Sequence, residues 1–107
     1  MTQIIYVLPD GTRRVVDLDE GRTLMEGARA NEIPGIVADC GGACACSTCH
    51  VYVDGDWLEK LPAKEPIEED MIEFAWEPDP LRSRLTCQLT VSRELDGLIV
   101  HVPERQN

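Results

Sequence analysis

Two short β-rich runs open the chain, "TQIIYVL" and "TRRVVDL", separated by Pro9-Asp10-Gly11. That turn signal between strand-forming residues predicts a hairpin. "TLMEGARAN" then places Glu26 three residues after Thr23, the spacing of a capping box, and so predicts a short helix starting at Thr23. Leu24, Met25 and Ala28 supply its apolar side, and Pro34-Gly35 ends it. After a cysteine-rich loop, "HVYVD" reads as a strand. "EPIEEDMIEFAWEP" reads as a second helix, with Pro66 in its first turn and acids near the positive end of its dipole. Ile67, Met71 and Phe74 share one face of that helix, and Glu69, Glu73 and Glu77 another. "LTCQLTV" and "LIVHV" read as two closing strands. The order ββ-α-loop-β-α-ββ describes a compact α+β domain, with a mixed sheet and a helix across it.

At 107 residues, without repeats or linkers, the chain is expected to form one domain spanning residues 1–107. No apolar run approaches the roughly 18 residues of a membrane helix. The amino end lacks the features of a secretory or transit peptide, so a reducing cytoplasm is the expected compartment. The formal net charge of −10 argues against nucleic acid or an anionic membrane as partner, since both need a basic footprint. The charge is also concentrated: between Asp54 and Pro80 ten acids stand against Lys60 and Lys64. Such a segment serves solubility as a solvated face, or docks basic partners.

Chemistry enters with "ADCGGACACSTCHVYV", which holds four of the five cysteines within ten positions. In a reducing compartment such crowding points to metal or catalysis rather than disulfides, and the odd number agrees. All-cysteine zinc sites usually pair two C-x2-C knuckles; here only Cys46 and Cys49 form one. A thioredoxin-like dithiol would open a helix, whereas "CSTCHVYV" leads into β-rich sequence. Neither reading accounts for Gly41, Gly42, Ala43 and Ala45. A 2Fe-2S cluster does, because backbone N–H groups must approach its sulfides closely.

The C-x5-C-x2-C spacing of Cys40, Cys46 and Cys49, followed by a fourth cysteine in "RLTCQL", resembles the adrenodoxin–putidaredoxin class of 2Fe-2S ferredoxins. Plant-type ferredoxins have a first gap of four residues instead. The resemblance extends through "CSTCHVYV", "SRLTCQL" and "ELDGLIVHVPERQ". It implies a β-grasp fold with an acidic surface helix, one 2Fe-2S cluster ligated by Cys40, Cys46, Cys49 and Cys87, and electron carriage without catalysis. Keeping that ligand spacing leaves Cys44 as a bystander thiol. His50 is expected to serve packing or to bond a backbone carbonyl, and Trp57 and Trp76 to be core or rim aromatics.

Glu68, Glu69, Asp70, Glu73 and Glu77 match the position of the family's acidic recognition helix, and Asp39 an acidic position on its docking face. The resemblance implies a monomeric shuttle between an FAD-containing NAD(P)H ferredoxin reductase and a cytochrome P-450 monooxygenase. Charge complementarity suits such brief encounters. Putidaredoxin's terminal aromatic residue, which contributes to partner choice, is replaced here by "ERQN", so a different partner specificity is expected. "CACSTCH" and "DMIEFAW" also resemble the ferredoxins of iron–sulfur cluster assembly, which is the alternative reading. A remote third is a non-redox module built on a structural metal.

Overall fold

A computed structural model describes residues 2–33, 49–73, 75 and 77–104. β1 (Thr2–Val7) and β2 (Arg13–Leu18) form the expected antiparallel hairpin. Its turn closes through Leu8 N–H to Thr12 O at 2.8 Å and Gly11 N–H to Leu8 O at 2.9 Å. Gly11 sits at φ +91°, where a Cβ would be strained.

α1 (Leu24–Ala30) follows, capped as the sequence predicts: Thr23 Oγ1 accepts the Glu26 N–H, and Glu26 accepts the Thr23 N–H. The helix stops at Asn31, before Pro34-Gly35, which lie outside the described residues. β3 (His50–Val53), α2 (Pro66–Ile72), β4 (Ser83–Leu85) and β5 (Leu98–His101) complete the regular elements. The strands form one mixed sheet in the order β2-β1-β5-β3-β4, with β1 and β5 parallel and the other pairs antiparallel.

α1 buries Leu24, Met25, Gly27 and Ala28 against this sheet. Ile4 and Tyr6 of β1, Val51 and Val53 of β3, and Leu98 and Val100 of β5 are fully buried beneath it. Tyr6 satisfies its hydroxyl by donating to Leu24 O at 2.7 Å, which ties sheet to helix. The helix approaches so closely that a Cβ on Gly27 would run into both δ-methyls of Leu18.

Two expectations need correction. α2 ends at Ile72 rather than running to Pro78, and its buried residues are Glu68 and Ile72. Ile67 is 53% exposed and Met71 only partly buried, while Phe74 lies outside the described residues. An acid takes the inward position because a buried arginine meets it there, and a hydrophobic pattern cannot register that. "LTCQLTV" is likewise not one strand. β4 stops at Leu85, Thr86–Gln88 form a 3-10 turn, and Thr90 makes an isolated bridge to Thr23.

Replacing Gly27 by Ala sets a helix-propensity gain of about 1 kcal/mol against an overpacking cost of about 1–3 kcal/mol. Leu18 is itself buried and has little room to yield. Gly27→Ala is therefore expected to lower the urea midpoint; an increase would contradict the close approach of α1 to β2.

Candidate iron–sulfur site

The β3–β4 pairing brings two cysteines together. His50 lies opposite Leu85, so Cys49 and Thr86 continue the ladder just beyond the sheet's end. Cys49 O accepts both the Thr86 N–H and the Thr86 hydroxyl, each at 3.0 Å. The 3-10 turn that begins at Thr86 then carries Cys87 towards Cys49. Cys49 is fully buried, Cys87 is buried, and neither forms a disulfide. On the far side, Leu24 N–H donates to Leu89 O at 2.9 Å, anchoring the turn to the start of α1.

A second set of contacts fixes β4 from behind. Arg84 donates twice to Glu68, from Nε at 2.7 Å and from Nη2 at 3.0 Å, and Nη1 donates to Pro62 O at 2.7 Å. Glu68 also accepts the Leu85 N–H at 3.0 Å, so a fully buried carboxylate has three donors. Asp79 Oδ1 accepts the N–H groups of Leu81 and Arg82, which holds its carboxyl below the usual range. Asp79 N–H in turn donates to Ser83 Oγ at 2.7 Å.

Ser83 Oγ also lies 2.7 Å from Nε2 of the fully buried His50. Burial lowers the His50 pKa to about 4, so its ring is neutral near pH 7. The ring also packs as expected, meeting Tyr52 edge-on with the centroids 4.8 Å apart.

The donor set fits an iron–sulfur cluster. The Cys49 thiol is raised well above its ordinary value, first by the hydrogen bond with the Cys87 thiol and then by burial. The Cys87 N–H and Thr86 pull weakly the other way. Two sulfurs this close in a buried site resist ionisation until a cation compensates them, and ferric iron supplies that charge. Cys40 and Cys46, the other expected ligands, lie outside the described residues, as do Asp39 and Cys44. Among the described residues, no group of three or more His, Cys, Asp or Glu is arranged to hold a metal.

The sequence matches the 2Fe-2S iron-sulfur cluster binding domain over residues 7–92. The chain belongs to the 2Fe-2S ferredoxins. It is similar to rhodocoxin of Rhodococcus erythropolis, 45% identical with 99% of each chain covered. Similarity to putidaredoxin of Pseudomonas putida is also 45%, again with 99% of each covered. Putidaredoxin as solved in covalent complex with putidaredoxin reductase superposes with a TM-score of 0.91, over 97% of this chain and 100% of that one. The ISC-like ferredoxin FdxB of Pseudomonas putida is more distant, at 27% identity and a TM-score of 0.82, over 100% of this chain and 96% of that one. The fold is therefore the expected β-grasp, the cofactor is one 2Fe-2S cluster, and the protein is an electron carrier rather than an enzyme.

Of the acids assigned to docking, Glu69, Asp70 and Glu73 are exposed on α2 or at its cap. Glu77 is exposed as well, but it lies beyond the helix, at φ 42°, with its carbonyl accepting the Tyr52 hydroxyl. Glu68 is 1% exposed and engaged by Arg84, so it is a structural residue and not part of that surface. Trp57 is a rim aromatic: it packs on the core with Lys60 Nζ 4.6 Å from its ring centroid. Trp76 lies outside the described residues. The Glu68–Arg84 pair escaped the sequence reading because each residue looks solvated alone; Pro66 at the start of α2 gives no hint of it.

Removing one partner of a buried ion pair strands the other, at a cost of about 3–5 kcal/mol. Glu68→Ala is expected to lose stability on that scale in chemical denaturation. Glu68→Leu combined with Arg84→Met should recover much of it. Equal losses in the single and double variants would show that the pair is not the source.

Proposed function

We propose that this chain is a cytoplasmic, monomeric, single-domain ferredoxin spanning residues 1–107. It takes electrons one at a time from an FAD-containing NAD(P)H ferredoxin reductase and delivers them to a cytochrome P-450 monooxygenase. The observation that carries this reading is the similarity to putidaredoxin bound to its reductase, 46% identical across nearly the whole of both chains. The lower identity to the ISC-like ferredoxin favours this role over electron supply to cluster assembly.

Cys40, Cys46, Cys49 and Cys87 are the proposed ligands, with Cys44 outside the set. When bound, the cluster supplies a one-electron redox centre. The chain's own residues do the rest. β3 and the 3-10 turn after β4 hold Cys49 and Cys87 adjacent, and burial keeps water from these two sulfurs. Glu69, Asp70, Glu73 and Glu77, together with Asp39, are the proposed docking acids. A cleft of about 320 Å³, lined by Glu69, Glu73, Lys64, Ile72, Pro78 and Pro80, lies beside them. Among the described residues, no helix is long and apolar enough to cross a membrane.

Three measurements test the proposal. The purified protein is expected to be silent in electron paramagnetic resonance as isolated and to gain a spin-one-half signal with dithionite. Cys44→Ala should keep the visible spectrum, whereas Cys87→Ser should alter it; a colourless Cys44→Ala protein would overturn the ligand set. In a reconstituted chain with reductase and monooxygenase, electron transfer should fall steeply as ionic strength rises through 0.15 M, where the Debye length is about 8 Å. Lysine at Glu69 and Glu73 together should slow it further at low salt. Rates indifferent to both changes would refute electrostatic docking.

A further inference from the structure

The described part of the site holds a polar side chain that the family assignment does not explain. Gln88 closes the 3-10 turn immediately after Cys87 and is half-buried. Its Nε2 lies 3.6 Å from Cys87 Sγ and 3.5 Å from Cys87 O. Cys87 O is an acceptor, and Cys87 Sγ is purely one once it is a thiolate. The amide must therefore turn its NH2 end towards them, because its oxygen there would oppose two like dipoles. At 3.5 Å the contact with oxygen is too long for a good hydrogen bond, while sulfur's larger radius makes 3.6 Å a bonding distance.

The turn allows little drift: Leu89 N–H returns to Thr86 O at 3.3 Å, and Thr86 is itself bonded twice to Cys49 O. Cys87 and the adjacent Leu85 and Leu89 are buried, so the sulfur that receives the half-buried amide is itself shielded from water.

We propose that the Gln88 carboxamide is a hydrogen-bond donor to the Cys87 thiolate that raises the reduction potential of the bound cluster. This rests on Cys87 being a ligand. Binding iron converts the Cys87 thiol to a thiolate, which is a stronger acceptor than the thiol. Reduction adds one electron to the cluster, with no proton and no bond made or broken, and part of the added charge falls on the cysteine sulfurs. A donor aimed at one of them gains more in the reduced state than in the oxidised state. Gln88 is thus a positioning residue whose effect is on the redox equilibrium.

The test is a redox titration of cluster-loaded wild type, Gln88→Leu and Gln88→Glu, followed by electron paramagnetic resonance. At the poise that half-reduces wild type, the reduced-to-oxidised ratio of Gln88→Leu should fall by about threefold to tenfold, since only the strengthening of the bond counts. Gln88→Glu, nearly isosteric but anionic, should fall further. Resonance Raman should show the Fe–S(Cys) stretch rising in Gln88→Leu and losing part of its sensitivity to deuterium exchange. A loaded Gln88→Leu protein with wild-type potential and stretch overturns the proposal; should that variant fail to load, an unchanged Gln88→Glu potential does so instead. A wild type without the reduced-state signal, or a Cys87→Ser spectrum identical to wild type, overturns the site reading itself.

Discussion

The carboxylate of Glu68 is the point on which the described half of the site depends. It leaves water completely, and three N–H donors from Arg84 and Leu85 replace its hydration. A lone buried carboxylate would be strongly disfavoured, so α2 can occupy this position only if β4 presents Arg84 and the Leu85 N–H at the correct height. The dependence runs both ways. Arg84 and Leu85 are followed directly by Thr86 and Cys87, so the contact that seats the helix also sets where the turn begins. Apolar residues could fill the same space with equal stability, but they would fix the register less sharply. Here a slip of one residue would turn Arg84 to the wrong face and break the Thr86–Cys49 bonds.

The readable parts of the fold were those whose cause is local. Pro9-Asp10-Gly11 makes its turn with its own backbone, and Thr23 and Glu26 cap each other within one turn of helix. Those contacts do not depend on anything distant in the chain. The spacing of the cysteines was equally informative, because a cluster imposes its dimensions on the ligands. The face of α2 was misread for the opposite reason: Glu68 turns inward to meet an arginine sixteen residues away. "LTCQLTV" looked like strand because its composition is β-rich, yet the chain leaves the sheet after Leu85 to bring Cys87 back to Cys49. Function overrides propensity at that turn.

The correction to Glu68 also sharpens the picture of the acidic surface. With that residue inside, its charge is already offset by Arg84, and Glu69, Asp70 and Glu73 remain as the exposed acids of α2. Helix α2 therefore separates two jobs between adjacent residues, the inward acid locking β4 and the outward acids facing solvent. A partner attracted to the outer acids would meet an element bonded, through the neighbouring acid, to the strand that leads into the turn carrying Cys87. Short exposed side chains on a well-anchored element suit a carrier, since long-range attraction needs charge but not a tightly fitted interface.

Rigidity near the proposed ligands matters because a carrier is reduced and oxidised in every cycle. If gaining an electron moved the ligands far, each transfer would carry the cost of that rearrangement. Ligands held by strands and packed turns are placed more accurately than ligands on loops, and fixed dipoles need not reorganise when charge arrives. Cys49 and Cys87 meet this requirement through the two bonds from Thr86 to Cys49 O and through their own burial in the core cluster. The same logic applies to the amide of Gln88. A donor already in place before reduction can respond to added negative charge by a small shortening of one bond, whereas solvent would have to reorient. Its position one residue beyond Cys87 makes that preorganisation a property of the turn itself.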